Sequence, residues 1–531
     1  MLVLILLFHE LYMRTSFIIS RFFFALFILI TSVQQVLAID FGTTNANFGS
    51  VNVGELDSIE FMVLLESQSE VIVDIKIYGD GFFVREESKT LTRGGDTSFW
   101  VIFKPVQNIS YRGALFIGVN DIWHNAREVA GKGKIPNSYY NSTFDLWDDE
   151  LLDELQDITS SGQRSLGYNG ARDEMYADLD NVNGKVTCVY TGRTATFNSR
   201  GGANSNNFNC EHTWPQSKFC SSESGTQKAD IHHLFSTDAS SNSRRGNYPF
   251  GKVSGSPSWQ EGGSKLGGGV FEPRNEQKGA TARAMLYMVM RYGDCDGFLG
   301  SQENTLKNWH QTYGPQQAEK KRNNGIYDLQ KNRNPFVDAP ELIDRIIAIK
   351  GGKKRTYSSS AAIVDETVEA ITKDADSVRY IAWIVNTGEK EIEISGLDGS
   401  DFEHYWMPKT KLNVGEKVGI RVVFNNPDGG SYNAYIRFTD NSIQGIEVLF
   451  EPTVGVEIFK EEKIQLLIEN GILVVPKQFI FGTVSFYNLS GKELLTTRNS
   501  QIVDLNALRN KILIVRMRNE NQNHSTKLIL R

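Results

Sequence analysis

One pattern of β-branched and aromatic runs occurs twice in this chain, and its copies stand on either side of a stretch of different character. Phe99-Trp-Val-Ile-Phe-Lys-Pro, then Ser110-Tyr-Arg-Gly-Ala-Leu-Phe-Ile, parallels Ile420-Arg-Val-Val-Phe-Asn-Asn-Pro, then Ser431-Tyr-Asn-Ala-Tyr-Ile-Arg-Phe. Upstream, Gly79-Asp-Gly-Phe-Phe matches Gly399-Ser-Asp-Phe, and the turns Arg93-Gly-Gly-Asp and Val414-Gly-Glu-Lys follow them. Short strands at this spacing, punctuated by Gly and Asn and free of helical periodicity, predict an all-β sandwich. A repeated set of strands and turns predicts a second one. The 531 residues are therefore multidomain, with sandwiches over 39–125 and 363–455, a central domain over 134–352 and a tail over 457–531.

The central region carries the helices. Apolar residues at helical spacing predict one over Leu146–Ile158, a buried one over Thr281–Tyr292 and a short terminal one over Glu341–Lys350, where Pro340 suits the first turn. Gly262-Gly263 and Gly267 to Gly269 read as an irregular loop, and Tyr357 to Ala362 as a Ser-rich linker. Over 136–350 there are 23 Lys and Arg against 26 Asp and Glu, and the whole chain is at −7. Neither figure gives a globally basic face for nucleic acid, so any grip on phosphate must be local.

The first 38 residues read as a secretory signal peptide: Arg14 and Arg21, the apolar run Phe22 to Ile30, then Val36-Leu37-Ala38. Met13 suits such a signal better as a start than Met1. The rival reading, a membrane anchor, has a short apolar core against the ~20 residues a spanning helix needs. The four cysteines, Cys188, Cys210, Cys220 and Cys295, all lie in the central region. In an exported chain they can form one or two disulfides in three pairings, among which sequence does not choose. No Cys-x-x-Cys or His-x-x-x-His spacing supports zinc.

Phosphodiester hydrolysis needs an activated water, a charge to stabilise the transition state and help for the leaving oxygen. Glu211-His212 sets a carboxylate for a hard cation beside an imidazole. Asn242 adds a neutral oxygen ligand of the kind Mg²⁺ accepts alongside waters. Arg244 and Arg245 offer planar forks for phosphate oxygens.

Six segments in order carry a resemblance: Glu211-His-Thr-Trp-Pro-Gln-Ser, Asp230-Ile-His-His-Leu, Asn242-Ser-Arg-Arg-Gly-Asn, Glu272-Pro through Lys278-Gly to Ala282-Arg-Ala, Trp309-His310, and Gln330-Lys-Asn-Arg-Asn-Pro-Phe. Together they resemble the endonuclease I family of His-Me finger (ββα-metal) nucleases over about 136–350. The resemblance implies His212 as general base, Glu211 and Asn242 as ligands of one Mg²⁺ (with Mn²⁺ or Ca²⁺ able to take the site), and Arg245, with Arg244, on phosphate. It further implies a largely sequence-nonspecific cut of DNA, and of RNA too, that leaves 5′-phosphates. His232, His233, Asn247 and Asn334 are expected to support the site, and Trp309 and His310 to pack. Ser236 stands where family members commonly have Pro.

The sandwiches resemble immunoglobulin-like modules of the abnormal-spindle/hydin type. The tail, with Val484-Ser-Phe-Tyr-Asn-Leu-Ser-Gly-Lys, Ile502-Val-Asp-Leu, Ile512-Leu-Ile-Val-Arg and Lys527-Leu-Ile-Leu-Arg, resembles a C-terminal sorting domain of type IX secretion, although Lys511 and Leu513 depart from that pattern. The expected fold is thus an α+β His-Me finger nuclease domain flanked by all-β immunoglobulin-like sandwiches, with a small C-terminal β domain. The expected protein is a monomer, exported through the periplasm to the surface or medium. A surface adhesion or DNA-binding protein with a non-catalytic nuclease-like domain is the alternative from another class, and a phosphodiesterase for small nucleotides is a third.

Overall fold

The structure is a computed structural model describing residues 39–529 apart from 42–45, 66–69, 92–95, 120–121, 221–223, 374–376, 400–401, 403, 426–430, 455–466, 470–471, 476–482, 488–492, 499, 509–511 and 519–522. The expected signal peptide, Met13 included, lies outside the described residues.

Along Asp96–Phe103 the pleat turns Phe99, Val101 and Phe103 inward and leaves Trp100 exposed. Val71, Val73 and Ile75 do the same on the facing sheet, and the two faces share one core with Phe48, Phe82 and Tyr111. A four-stranded sheet runs in the order Ile39–Phe41, Asp57–Leu65, Asp96–Phe103, Phe82–Val84. The five-stranded partner runs Ala46–Asn52, Ile122–Lys134, Ser110–Val119, Val71–Tyr78, Ser88–Leu91. The second sandwich follows the same path. Its sheets run Ala361–Ile363, Val378–Asn386, Lys417–Phe424, His404–Trp406 and Thr367–Ala370, Ile446–Val454, Tyr432–Phe438, Ile392–Asp398, Lys411–Leu412. Each copy has one parallel pair in the same place, Ala46–Asn52 with Ile122–Lys134 and Thr367–Ala370 with Ile446–Val454. The repeat seen in sequence is therefore a repeat of topology.

The last strand of the first sandwich continues to Lys134, past the expected 125, because Ser110–Val119 pairs with it from Ile122 to Lys132 and Ala46–Asn52 from Val129 to Lys134. The Ser-rich stretch is not a free linker: Ser358 and Ser359 bond to Glu389 and Asp440, and Ala361 onward is already a strand.

In the central region the expected first helix is Asp148–Ser160. The buried helix starts six residues earlier than its apolar run, at Asn275, and ends at Tyr292. Met285, Leu286, Tyr287 and Met288 are all fully buried, so this helix is wrapped on every side. Each such side chain contributes about 1.5–3 kcal/mol. Gly279 is required there, since a Cβ would lie 2.1 Å from the Tyr313 carbonyl oxygen. The terminal helix expected over Glu341–Lys350 is instead a 3₁₀ turn, Pro340–Arg345. The supposed irregular Gly loop is a three-stranded meander, Trp259–Glu261, Ser264–Gly267 and Val270–Glu272. Its hairpins turn at Gly262-Gly263 and Gly268-Gly269, all four at positive φ, which is what tight hairpin turns demand.

The three domains touch. Arg345 is buried against Asn108 and the Thr143 carbonyl, and Ser110 bonds to Asp145, which seats the central domain on the first sandwich. Trp123 donates to Asp365 and Trp383 donates to the Trp123 carbonyl, over a small core of Ala114, Phe116, Val364 and Val385. The tail's described strands form a three- and a four-stranded sheet around Leu473, Val484, Phe486 and Val515. Its expected turn at Ser490-Gly491 lies outside the described residues.

Candidate active site

The motif residues fall on two antiparallel strands and the helix after them. Phe208–His212 pairs with Leu234–Asp238, setting Glu211 opposite Phe235 and His212 opposite Leu234. The helix Ala239–Arg245 follows at once, capped by Asp238 through the Ser241 amide and closed by Gly246 at φ +55. Neighbouring strand residues point to opposite faces. Glu211 accordingly meets the helix through Arg245, while His212 meets the Lys228 carbonyl in the last turn of the helix Ser224–Ala229.

His212 is 6% exposed. Its Nε2 lies 3.2 Å from the Lys228 carbonyl oxygen, and its Nδ1 lies 3.3 Å from the amide nitrogen of Gln216, an exposed side chain. A carbonyl can only accept, so Nε2 carries the proton and Nδ1 carries the lone pair. Burial, then the neighbouring His233, holds the ring's pKa down to about 2. The imidazole is neutral.

Glu211 is 1% exposed. Its Oε1 accepts from the Tyr190 hydroxyl at 2.8 Å and lies 3.2 Å from Arg245 Nε, while among the described residues none donates to Oε2. Burial raises its pKa, opposed by Arg245 and by the Tyr190 hydrogen bond. Asn242 is half-buried and turns its Nδ2 inward to Asn209 Oδ1 and the Cys210 carbonyl, so its Oδ1 is the outward end. Among the described residues no group of three or more His, Cys, Asp or Glu is placed to hold a metal. A cation at Glu211 and Asn242 would therefore keep most of its ligands as water and substrate oxygens, which suits Mg²⁺.

The two arginines lie in different surroundings. Arg245 is 1% exposed, and its guanidinium is committed inward to the carbonyls of Thr213 at 2.5 Å and Gly246 at 2.9 Å, to Glu211, and to the face of Phe250. It lies against the carboxylate and is turned away from the surface. Arg244, next to it, is exposed; one residue of helix turns the side chain by about 100°.

His233 bonds through Nε2 to the Gln227 carbonyl, and its ring sits edge-on to His212 at 5.3 Å. His232 reaches the Asn332 carbonyl and packs on Tyr287. Asn334 caps Pro335–Asp338 and reaches the Arg283 carbonyl. Asn247 is exposed. Trp309 and His310 are buried, with His310 donating to the Pro340 carbonyl. Ser236 donates twice to Asp180. Of the cysteines, Cys220 and Cys295 are joined and Cys188 and Cys210 are free and buried.

Sequence reading missed Tyr190, the Lys228 carbonyl, Tyr168 and Phe219. Gln216 stood inside a quoted motif without a role. A backbone carbonyl leaves no trace in residue identity, and Tyr190 and Tyr168 lie 21 and 44 residues upstream of Glu211 and His212.

The central region matches a family model described as Endonuclease I over residues 151–341. The chain is 33% identical over 232 residues to an extracellular ribonuclease of Bacillus subtilis (strain 168), a match covering 40% of this chain and 78% of that protein. It is 34% identical over 205 residues to an extracellular ribonuclease of Bacillus amyloliquefaciens, covering 35% and 70%. An extracellular deoxyribonuclease of Aeromonas hydrophila is 32% identical over 121 residues, covering 22% and 52%.

Proposed function

The chain belongs to the endonuclease I family and is a nuclease, and on that premise we propose a metal-dependent endonuclease with little sequence preference that cuts RNA as well as DNA. The observation that carries the mechanism is the fixed tautomer of His212. With its Nε2 proton held on the Lys228 carbonyl, Nδ1 is the basic nitrogen, covered by a displaceable Gln216 amide. In this reading Nδ1 takes a proton from water as its oxygen bonds to phosphorus. The P–O3′ bond breaks, the leaving oxygen is protonated from solvent, and the product keeps a 5′-phosphate. Glu211 and Asn242 would hold one divalent cation, Mg²⁺ by the chemistry of the donors, through the two oxygens that have no hydrogen bond among the described residues. When bound, it supplies charge for the leaving oxygen and the transition state. Tyr190 and Arg245 orient the carboxylate. On this reading the two strands and helix are the ββα-metal unit of His-Me finger nucleases.

The extracellular relatives support export. We read residues 1–38 as the signal peptide, 457–531 as a type IX sorting domain and the sandwiches as immunoglobulin-like modules that space or bind, in a monomer released to the surface or medium. Plasmid nicking with Mg²⁺, with and without EDTA, tests the enzyme. His212→Ala is expected to lose cleavage and keep DNA binding; normal turnover in that variant would refute the base assignment.

A further inference from the structure

Arg245 is buried and committed to Glu211 and to backbone carbonyls, and two other cations stand beside His212. Tyr168 and Arg172 are one turn apart on the helix Gly167–Glu174. The Tyr168 ring lies 5.3 Å from that of His212. Arg172 sits over the Tyr168 ring at 4.1 Å and Lys228, from the helix Ser224–Ala229, lies 4.8 Å from the same ring. Several cations of this domain are matched: Arg200 with Asp173, Lys218 with Asp296, Lys278 with Glu272, Arg283 with Glu319 and Arg322 with Asp180. Among the described residues Arg172 and Lys228 form no such ion pair. Arg172 spends one nitrogen on Asn169, and its Nε is buried without a partner. Two positive charges held on an aromatic face and unneutralised, beside the base of a near-neutral domain, are placed for an anion that comes and goes.

We propose that Arg172 and Lys228 bind the non-bridging oxygens of phosphates flanking the scissile one on the DNA or RNA strand, with Tyr168 as the positioning residue that holds both. This rests on the nuclease reading. Lys228 then serves twice: its carbonyl orients the base and its ammonium holds the strand whose phosphate that base must face.

The test uses the full chain with Arg172→Gln and Lys228→Met, which leave the Lys228 carbonyl in place. Charged hydrogen bonds of about 1.5–3 kcal/mol correspond to a KM roughly ten- to a hundredfold higher for each variant, with kcat little changed. Binding of short fluorescein-labelled DNA and RNA oligonucleotides in EDTA reads the electrostatics. The slope of log affinity against log salt is expected to shrink by about 0.7–0.9 per lost phosphate contact. Arg172→Lys, which keeps the charge, is expected to recover most of the affinity. Unchanged KM and salt slope in both variants overturn the proposal. So does a loss that appears only as a lower urea midpoint, because that is structural. The unmutated chain judges the nuclease reading separately: if it fails to cut plasmid with Mg²⁺ or Mn²⁺, that reading falls whatever the binding slopes show.

Discussion

Arg245→Met separates a phosphate ligand from a buried brace. The side chain is 1% exposed, donates to the Thr213 and Gly246 carbonyls and neutralises Glu211, itself 1% exposed. Methionine fills much of the volume but leaves a buried carboxylate unpaired, at a cost of about 3–5 kcal/mol. The orphaned Thr213 carbonyl costs about 1–3 kcal/mol. The two overlap at one site, so the expected loss is about 4 kcal/mol. With a urea slope of about 2–3 kcal/mol/M that lowers the midpoint by about 1–2 M. The companion variant Glu211→Gln removes the charge while its amide oxygen still accepts from Tyr190. The double variant is therefore expected to lose less than the sum of the singles, with a coupling of about 2–3 kcal/mol. Urea unfolding followed by tryptophan fluorescence reads all three. A native midpoint in Arg245→Met together with a many-fold rise in KM would refute this reasoning and return the guanidinium to the substrate.

The Cys220–Cys295 bridge closes a separation of 75 residues, so Cys220→Ser is expected to cost about 4 kcal/mol by loop entropy. It should also slow cleavage, because Phe219 beside it packs against His212 and His233; full kcat under reducing conditions would count against that link. Burial holds His310 at a pKa of about 4, so the native ring is neutral where the unfolded one takes up a proton. Stability is then full above about pH 6.5 and falls towards pH 4 by roughly 3 kcal/mol. His310→Gln should flatten that part of the urea-midpoint profile, and an unaltered profile would dismiss the assignment. Arg345→Met strips the buried contacts to Asn108 and Thr143. It is expected to loosen the first sandwich from the central domain and speed proteolysis between them; unchanged cleavage kinetics would show that other contacts suffice.

Features local along the chain were legible in sequence. The repeated sandwich was readable because period-two burial and turn chemistry are written in neighbouring residues, and Phe99 to Phe103 alternates in the structure as it does in sequence. Glu211 and His212 adjoin on one strand and Asn242 follows on the helix after its partner strand, so a compact motif held the metal and base candidates. Tertiary packing decided the rest. It turned Arg245 inward and Arg244 outward, a choice made by which helical face meets Glu211. It paired Cys220 with Cys295, left Cys188 and Cys210 apart, and placed the Lys228 carbonyl on His212. It also brought Tyr190 and Tyr168 to the site from far upstream. Which distant groups meet depends on how whole elements pack, and no local run of residues carries that distance.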